Sequence, residues 1–184
     1  VKHSNFYISE NEIVGIVGES GSGKSVTSLA LMGLLPKEIA KISEGEIIFN
    51  NQNITNFSEN DFRKIRSKHV AMIFQEPMSS LNPSMKCGQQ VAEILEEHTS
   101  LSNFEIKNEV ISLFEKVKLP DPEIIFNKYP HQISGGQKQR VMIAMALACK
   151  PKLLIADEPT TALDVTVQNE IIQLLKEIQN ETKM

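Results

Sequence analysis

An octapeptide with three glycines and a lysine, Gly18-Glu19-Ser20-Gly21-Ser22-Gly23-Lys24-Ser25, stands between two runs of opposite character. Before it, Glu12-Ile13-Val14-Gly15-Ile16-Val17 is short, apolar and β-branched, the pattern of a strand buried on both faces of a parallel sheet. After it, Val26 to Leu35 has helical spacing, and Pro36 is expected to stop that helix. A strand, a glycine loop and a helix in that order constrain the fold strongly. The loop's N–H groups turn inward, the helix dipole points the same way, and both favour an anion. The G-x-x-x-x-G-K-[ST] spacing is that of a loop that cradles phosphates. Gly18, Ser20, Gly21, Ser22, Gly23 and Val26 are therefore expected to line a phosphate site. Lys24 is expected to reach the β- and γ-phosphates, and the Ser25 hydroxyl to ligate Mg2+.

A second apolar run, Lys152 to Ala156, reads as another buried strand and ends in Asp157 and Glu158. In parallel α/β sheets, ligands sit off the carboxyl ends of strands. Beside a phosphate loop, two acids at that edge point to metal and water management. Asp157 is expected to hold Mg2+, directly or through water, and Glu158 to polarise an attacking water. Between the two motifs lies Ile133-Ser134-Gly135-Gly136-Gln137, followed by helix formers from Lys138 to Ala148 and a break at Pro151. Ser134 and the glycines read either as another anion site at a helix start or as an ordinary N-cap.

Glu46 to Phe49 and Val70 to Phe74 read as further strands, and Asn50 to Asn60 as a surface turn and connector. After Pro83 the character becomes helical. Val91, Ile94, Leu95 and His98 share one face, and Ile106, Val110, Leu113, Phe114 and Val117 form another stripe. Ser102 and Glu105 have capping-box spacing, and Asp121-Pro122 starts a short helix with proline in its first turn. The net charge of −4 offers no electrostatic footprint for nucleic acid. Cys87 and Cys149 form no C-x-x-C pattern and read as buried thiols in a cytosolic chain. His3, His69, His98 and His131 share no metal-ligand spacing and are expected on the surface or packed. No leader is read ahead of the first strand. The longest apolar run, Val141 to Cys149, falls far short of the ~20 residues of a membrane span, so membrane contact is expected through a partner.

With these residues in view, the chain resembles the ATP-binding cassette (ABC) ATPases. The glycine loop matches Walker A, Leu153-Leu154-Ile155-Ala156-Asp157-Glu158 matches Walker B, and ISGGQ matches the family signature. Phe74-Gln75-Glu76-Pro77 is similar to the Q-loop, and Ala162-Leu163-Asp164 to the D-loop. The segments Phe74 to Pro83, Tyr129 to Val141 and Asp157 to Gln168 resemble dipeptide and oligopeptide importer ATPases. The resemblance implies an α/β fold: a P-loop NTPase core with a mainly parallel sheet and an inserted α-helical signature subdomain. Residues 1–77 and 151–184 would form the nucleotide-binding core and 78–150 the helical arm. It also implies that two subunits pair head to tail with ATP between Walker A of one and the signature of the other. Ser134, Gly135, Gly136 and Gln137 would then act in trans, Asp164 would cross the interface, and Gln75 would sense Mg2+ and the lytic water. The implied cofactors are ATP and Mg2+. The implied partners are a second ABC ATPase subunit, identical or related, transmembrane permease subunits and, indirectly, an extracytoplasmic solute-binding protein. The implied location is the cytoplasmic face of the membrane, held peripherally.

Two family features find no match. An adenine-stacking aromatic upstream of Walker A and a switch histidine beyond the D-loop helix are not present, so the chain reads as a piece of a domain with slowed turnover. Phe6 and Tyr7 lie too close to Walker A for the stacking role and are expected to pack in the core. The D-loop helix is expected from about Thr166 to Gln179, with Val167, Ile171, Leu174, Leu175 and Ile178 inward. Other readings are half of a tandem ATPase importer subunit and a soluble, non-transport ABC ATPase; the short helical arm and the lack of a basic face argue against the latter.

Overall fold

The computed structural model describes residues 1, 4–36, 38, 40–75, 80–161 and 163–184. The chain divides into two compact units, residues 1–66 and 67–184. His3 and the Q-loop and D-loop positions Glu76, Pro77 and Ala162 lie outside the described residues.

In the first unit, helix α1 spans Lys24–Leu31, strands β1 (Ile48–Phe49) and β2 (Gln52–Asn53) form an antiparallel hairpin, and α2 spans Glu59–Ile65. The hairpin turns on Asn50 and Asn51, at φ 50° and 62°. Two successive left-handed residues are what a tight hairpin turn requires, and asparagine tolerates that region. The strand expected over Glu46 to Phe49 is thus reduced to its last two residues. Helix α2 starts at the end of the expected connector, Asn50 to Asn60, and runs on past it. Its signal is Ser58 with Asp61 three residues on, which form a reciprocal capping box.

Helix α1 ends earlier than Pro36 predicts. Gly33, at φ 62°, donates its N–H to Ala30 O at 3.1 Å, and Leu34 N–H bonds Leu29 O at 2.8 Å. That is the Schellman arrangement, in which a left-handed glycine closes the helix end. Arg66 completes the end by donating Nε to Met32 O (2.8 Å) and Nη2 to Gly33 O (2.9 Å). Its guanidinium also pairs with Glu59 at 2.6 Å and lies 5.3 Å from the Phe62 ring centre.

The segment Glu12 to Val17 departs from expectation. It joins no ladder, and its apolar side chains are exposed, Val17 at 97%. A buried parallel strand needs ladder partners and covered faces. The strands described in this unit are two residues long and bonded to each other. For the same reason Phe6 and Tyr7 are exposed rather than packed.

In the second unit, β3 (Val70–Ile73) pairs in parallel with β4 (Leu153–Ala156), with Val70 opposite Leu153 and Ile73 opposite Ala156. Between them in sequence come α3 (Cys87–His98), α4 (Asn103–Lys116), α5 (Pro122–Asn127), a 3-10 turn at Pro130–Gln132 and α6 (Gly135–Leu147); α7 (Val165–Thr182) follows β4. Strand β3, against which α6 packs, is fully buried. Strand β4 is only half-buried, with Lys152 and Ala156 exposed, because no described strand pairs along its other edge. The expected stripes hold: Val91, Leu95, Ile106, Val110, Phe114, Val117, Ile171, Leu174 and Ile178 form one core. Ser102 and Glu105 cap α4 reciprocally. The Ser102 hydroxyl holds the Glu105 carboxyl below its usual range, a contribution to stability present above that range and lost as pH falls through the lowered value. Gly88 of α3 meets α5 so closely that a Cβ would lie 2.2 Å from the Phe126 ring. Cys87 is buried, which pushes its thiol up to about 11, and Cys149 is half-buried.

A methyl group at Gly33 would sit 2.4 Å from the Phe62 ring, at a φ that disfavours any side chain. Gly33→Ala is expected to lower the unfolding free energy by about 2–4 kcal/mol, combining left-handed strain with overpacking. Urea denaturation reads this directly; a change below about 0.5 kcal/mol would mean that the ring yields freely.

Candidate functional site

The phosphate loop keeps the backbone its glycines allow. Gly21 and Gly23 stand at φ 81° and 99°, and Gly23 is the N-cap of α1. Gly18 is needed for closeness: a Cβ there would come 2.6 Å from Ser22 Oγ. Ser22 N–H bonds Glu19 O at 3.2 Å and tightens the turn. Lys24 folds back over the loop and donates to Gly18 O (2.8 Å) and Glu19 O (3.1 Å). Its ammonium is thereby held at the loop without an acidic side chain in the first turn of α1 to neutralise the helix dipole. Ser25 and Val26 follow in that first turn. Ser20 and Ser22 are exposed. These residues fit a phosphate chain.

The carboxylates belong to the β3–β4 edge. Asp157 N–H extends the ladder to Ile73 O at 3.0 Å, and the Asp157 side chain is buried. Glu158 then turns into the left-handed region at φ 48°, which is uncommon outside glycine and typical of strained functional positions. Its carboxylate is held from two sides. Gln75, just past β3, donates Nε2 to Glu158 Oε2 at 2.8 Å, across a sequence separation of 83 residues. Thr161 donates its hydroxyl to the same oxygen at 3.0 Å. Asp157 and Glu158 offer hard oxygen donors of the kind Mg2+ takes. Thr161 was not anticipated, although a hydroxyl three residues after a turn carboxylate is a common local partner.

Ser134 is the N-cap of α6: its Oγ accepts from Gln137 N–H at 3.2 Å, and Gln137 Oε1 accepts from Ser134 N–H at 2.9 Å. The N-cap reading of this segment therefore holds. Capping uses the hydroxyl as an acceptor and leaves its proton to donate. Ser134 and Gly135 are exposed. Gly136 packs against the start of α7, where a Cβ would come 3.0 Å from Val167 Cγ1, and a Cβ on Gly135 would come 3.7 Å from Leu163. Asp164 caps α7 by accepting from Val167 N–H at 3.0 Å, and Gln168 Nε2 donates to Leu163 O at 2.9 Å. Signature turn and D-loop turn of one chain thus touch, a contact between distant segments that no local pattern announces. His131, exposed, stacks on Tyr129 at 5.6 Å between ring centres, and His69 and His98 are half-buried. No group of His, Cys, Asp or Glu able to hold a metal by itself occurs among the described residues.

A family profile described as "ABC transporter" matches residues 1–161. The chain belongs to the ABC transporter family. It is 49% identical to the oligopeptide transport ATP-binding protein OppD of Bacillus subtilis (strain 168), over 98% of this chain and 51% of that protein. It is also 51% identical to OppD of Escherichia coli (strain K12), over 98% of this chain and 53% of that one. With the dipeptide transport ATP-binding protein DppD of Escherichia coli (strain K12) it shares 49% identity over 100% of this chain and 56% of the relative. The chain thus spans about half the length of the curated relatives it matches. Among solved structures, the ATP-binding cassette MJ0796, a post-hydrolysis dimer bound to ADP and Pi, superposes with a TM-score of 0.82 at 34% identity. That likeness covers 96% of this chain and 73% of the other. The expected P-loop NTPase fold of the ABC type is therefore established.

Within this ABC chain, the cap and any ligand role of Ser134 separate by substitution. Ser134→Ala is expected to lower the unfolding free energy by about 1 kcal/mol, while Ser134→Asp, a good cap, costs less than half of that. Equal losses in the two variants on urea titration would show that the cap is not what the hydroxyl supplies.

Proposed function

We propose that this chain binds and hydrolyses ATP to power an importer of peptides. The observation that carries the reading is the Gln75–Glu158 hydrogen bond at the carboxyl edge of β3 and β4, which ties the proposed water-activating carboxylate to the Q-loop. The peptide assignment is supported by relatives named as oligopeptide and dipeptide transport proteins.

In this reading Gly18, Ser20, Gly21, Ser22, Gly23 and Val26 hold the phosphate chain, and the Lys24 cation meets its terminal charge. Ser25, Asp157 and Gln75 would hold Mg2+, which when bound neutralises phosphate charge. Glu158, oriented by Gln75 and Thr161, accepts a proton from the lytic water; positioning is most of what such an enzyme supplies. Ser134, Gly135, Gly136 and Gln137 act on the nucleotide of a second ABC ATPase chain, and Asp164 faces that chain. Nucleotide bound by both halves favours the paired state, and its hydrolysis releases it. The core comprises residues 1–77 and 151–184, and the helical subdomain 78–150.

No helix among the described residues is long and apolar enough to cross a membrane. From its likeness to oligopeptide and dipeptide transport ATP-binding proteins, we propose that the chain works at the cytoplasmic face of the membrane, held by permease subunits and served indirectly by an extracytoplasmic solute-binding protein.

Lys24→Ala is expected to remove most Mg·ATP binding, read by titration with a fluorescent ATP analogue; unchanged affinity would reject the Walker A role. Glu158→Gln is expected to retain binding, to lower turnover by ~10²–10⁴ as for a lost general base, and to accumulate an ATP-held pair on size exclusion. Normal steady-state hydrolysis in that variant would remove Glu158 from the mechanism.

A further inference from the structure

The contact between Gly136 and Val167 is repeated one helical turn farther along both helices, but with charge. Four residues after Gly136 stands Arg140, and three residues after Val167 stands Glu170. Arg140 Nη2 donates to Glu170 Oε2 at 2.9 Å, and Nη1 donates to Val117 O at 2.9 Å. Val117 is the C-cap of α4, so one guanidinium joins the signature helix, the D-loop helix and the carbonyl end of a third helix. The Arg140 side chain is 12% exposed, and that of Glu170 is 55% exposed. A planar guanidinium with several donors in fixed directions suits such a three-way junction, and lysine could not reproduce it.

Two other pairs lie farther along α7, Lys118 with Glu177 and Lys116 with Glu181. They link α7 to the end of α4 alone and are more exposed, so little is expected of them. The junction at Arg140 differs in its burial, in its second bond and in its place one turn from the signature glycine.

We infer that Arg140 is a positioning residue: by pairing with Glu170 and Val117 O it fixes the signature turn, Ser134 to Gln137, against the D-loop turn, Leu163 to Val167. It acts through the two helix starts, which the function proposed above assigns to the composite nucleotide site, and the inference rests on that reading for its catalytic consequence. A shift of about 1 Å in a group that positions a reactant can cost ~100-fold in rate.

The test uses Arg140→Gln and, in case that variant folds poorly, Glu170→Gln, which keeps the bond to Val117 O. Amide hydrogen exchange is followed at Gln137 and Lys138, whose N–H groups bond Ser134, and at Val167 and Gln168, whose N–H groups bond Asp164. Exchange at these four amides is expected to quicken about tenfold or more in Arg140→Gln, as local opening becomes easier. ATP turnover is expected to fall ~10–100-fold, while affinity for a fluorescent ATP analogue, which reads the phosphate loop, stays within about twofold. Arg140→Lys should recover only part of the loss. Glu177→Gln serves as the control and is expected to leave both the four amides and turnover unchanged. Unchanged exchange in Arg140→Gln overturns the inference, as does quickened exchange with normal turnover, or an equal loss in Glu177→Gln. Failure of the unaltered protein to hydrolyse ATP at all would instead reject the proposed function, and the exchange comparison would still decide whether Arg140 fixes the two turns.

Discussion

The parallel pairing of β3 with β4 is the constraint on which the second unit depends. Four residues of each strand are in register, although about eighty residues separate them in sequence. Closing so long an excursion is entropically costly, and parallel pairing gives it no help from a local turn. What holds it is the core formed by α3 to α7 and the buried face of β3. Once the pair forms, Gln75 and Glu158 emerge from the same edge and bond to each other. The site's chemistry and this long-range pairing are therefore one arrangement.

The helix starts show how one device serves two purposes. Ser58, Ser102, Ser134 and Asp164 each cap a helix through a side-chain oxygen. At Ser58 and Ser102 that is the whole role the structure gives them. At Ser134 and Asp164 the caps fix two turns that lean on each other through Gly136 and Val167. A cap is worth about 1 kcal/mol, enough to fix a helix start but too little to immobilise it. The Arg140 junction adds rigidity one turn inside.

Much of this could be read from residue order. The stripes of the helical block and the Ser102–Glu105 box rest on local rules, and the structure bears them out; the left-handed glycines of the loop and the two acids after β4 stand where residue order put them, while their roles remain the proposal above. The misses have a common cause. Glu12 to Val17 is apolar enough for a buried strand, but burial depends on partners that no local pattern supplies. Pro36 is a valid stop signal, yet Gly33 acts first because Arg66 and Phe62, far along the chain, accommodate its turn. Val167, read only as an inward helix position, and Arg140 matter through contacts made across the fold, to Gly136 and to Glu170 and Val117 O, whereas Thr161 bonds Glu158 three residues away, a local signal that was open to reading. The relatives carry the family assignment, while the roles of individual residues rest on chemistry.

The central claim is that each nucleotide lies between the phosphate loop of one chain and the signature of another. Thiol cross-linking between copies tests it most directly. One copy would bear Ser22→Cys, at an exposed loop position, and the other Gly135→Cys, where an added Cβ has room. Cys87 is buried with its thiol pushed up to about 11 and does not compete, and Cys149→Ser removes the other native thiol. A short bis-maleimide is predicted to join the two copies in Mg·ATP with Glu158→Gln present to hold the pair, and not in ADP. Cross-linking between like positions, or equal yields with and without ATP, would contradict the account.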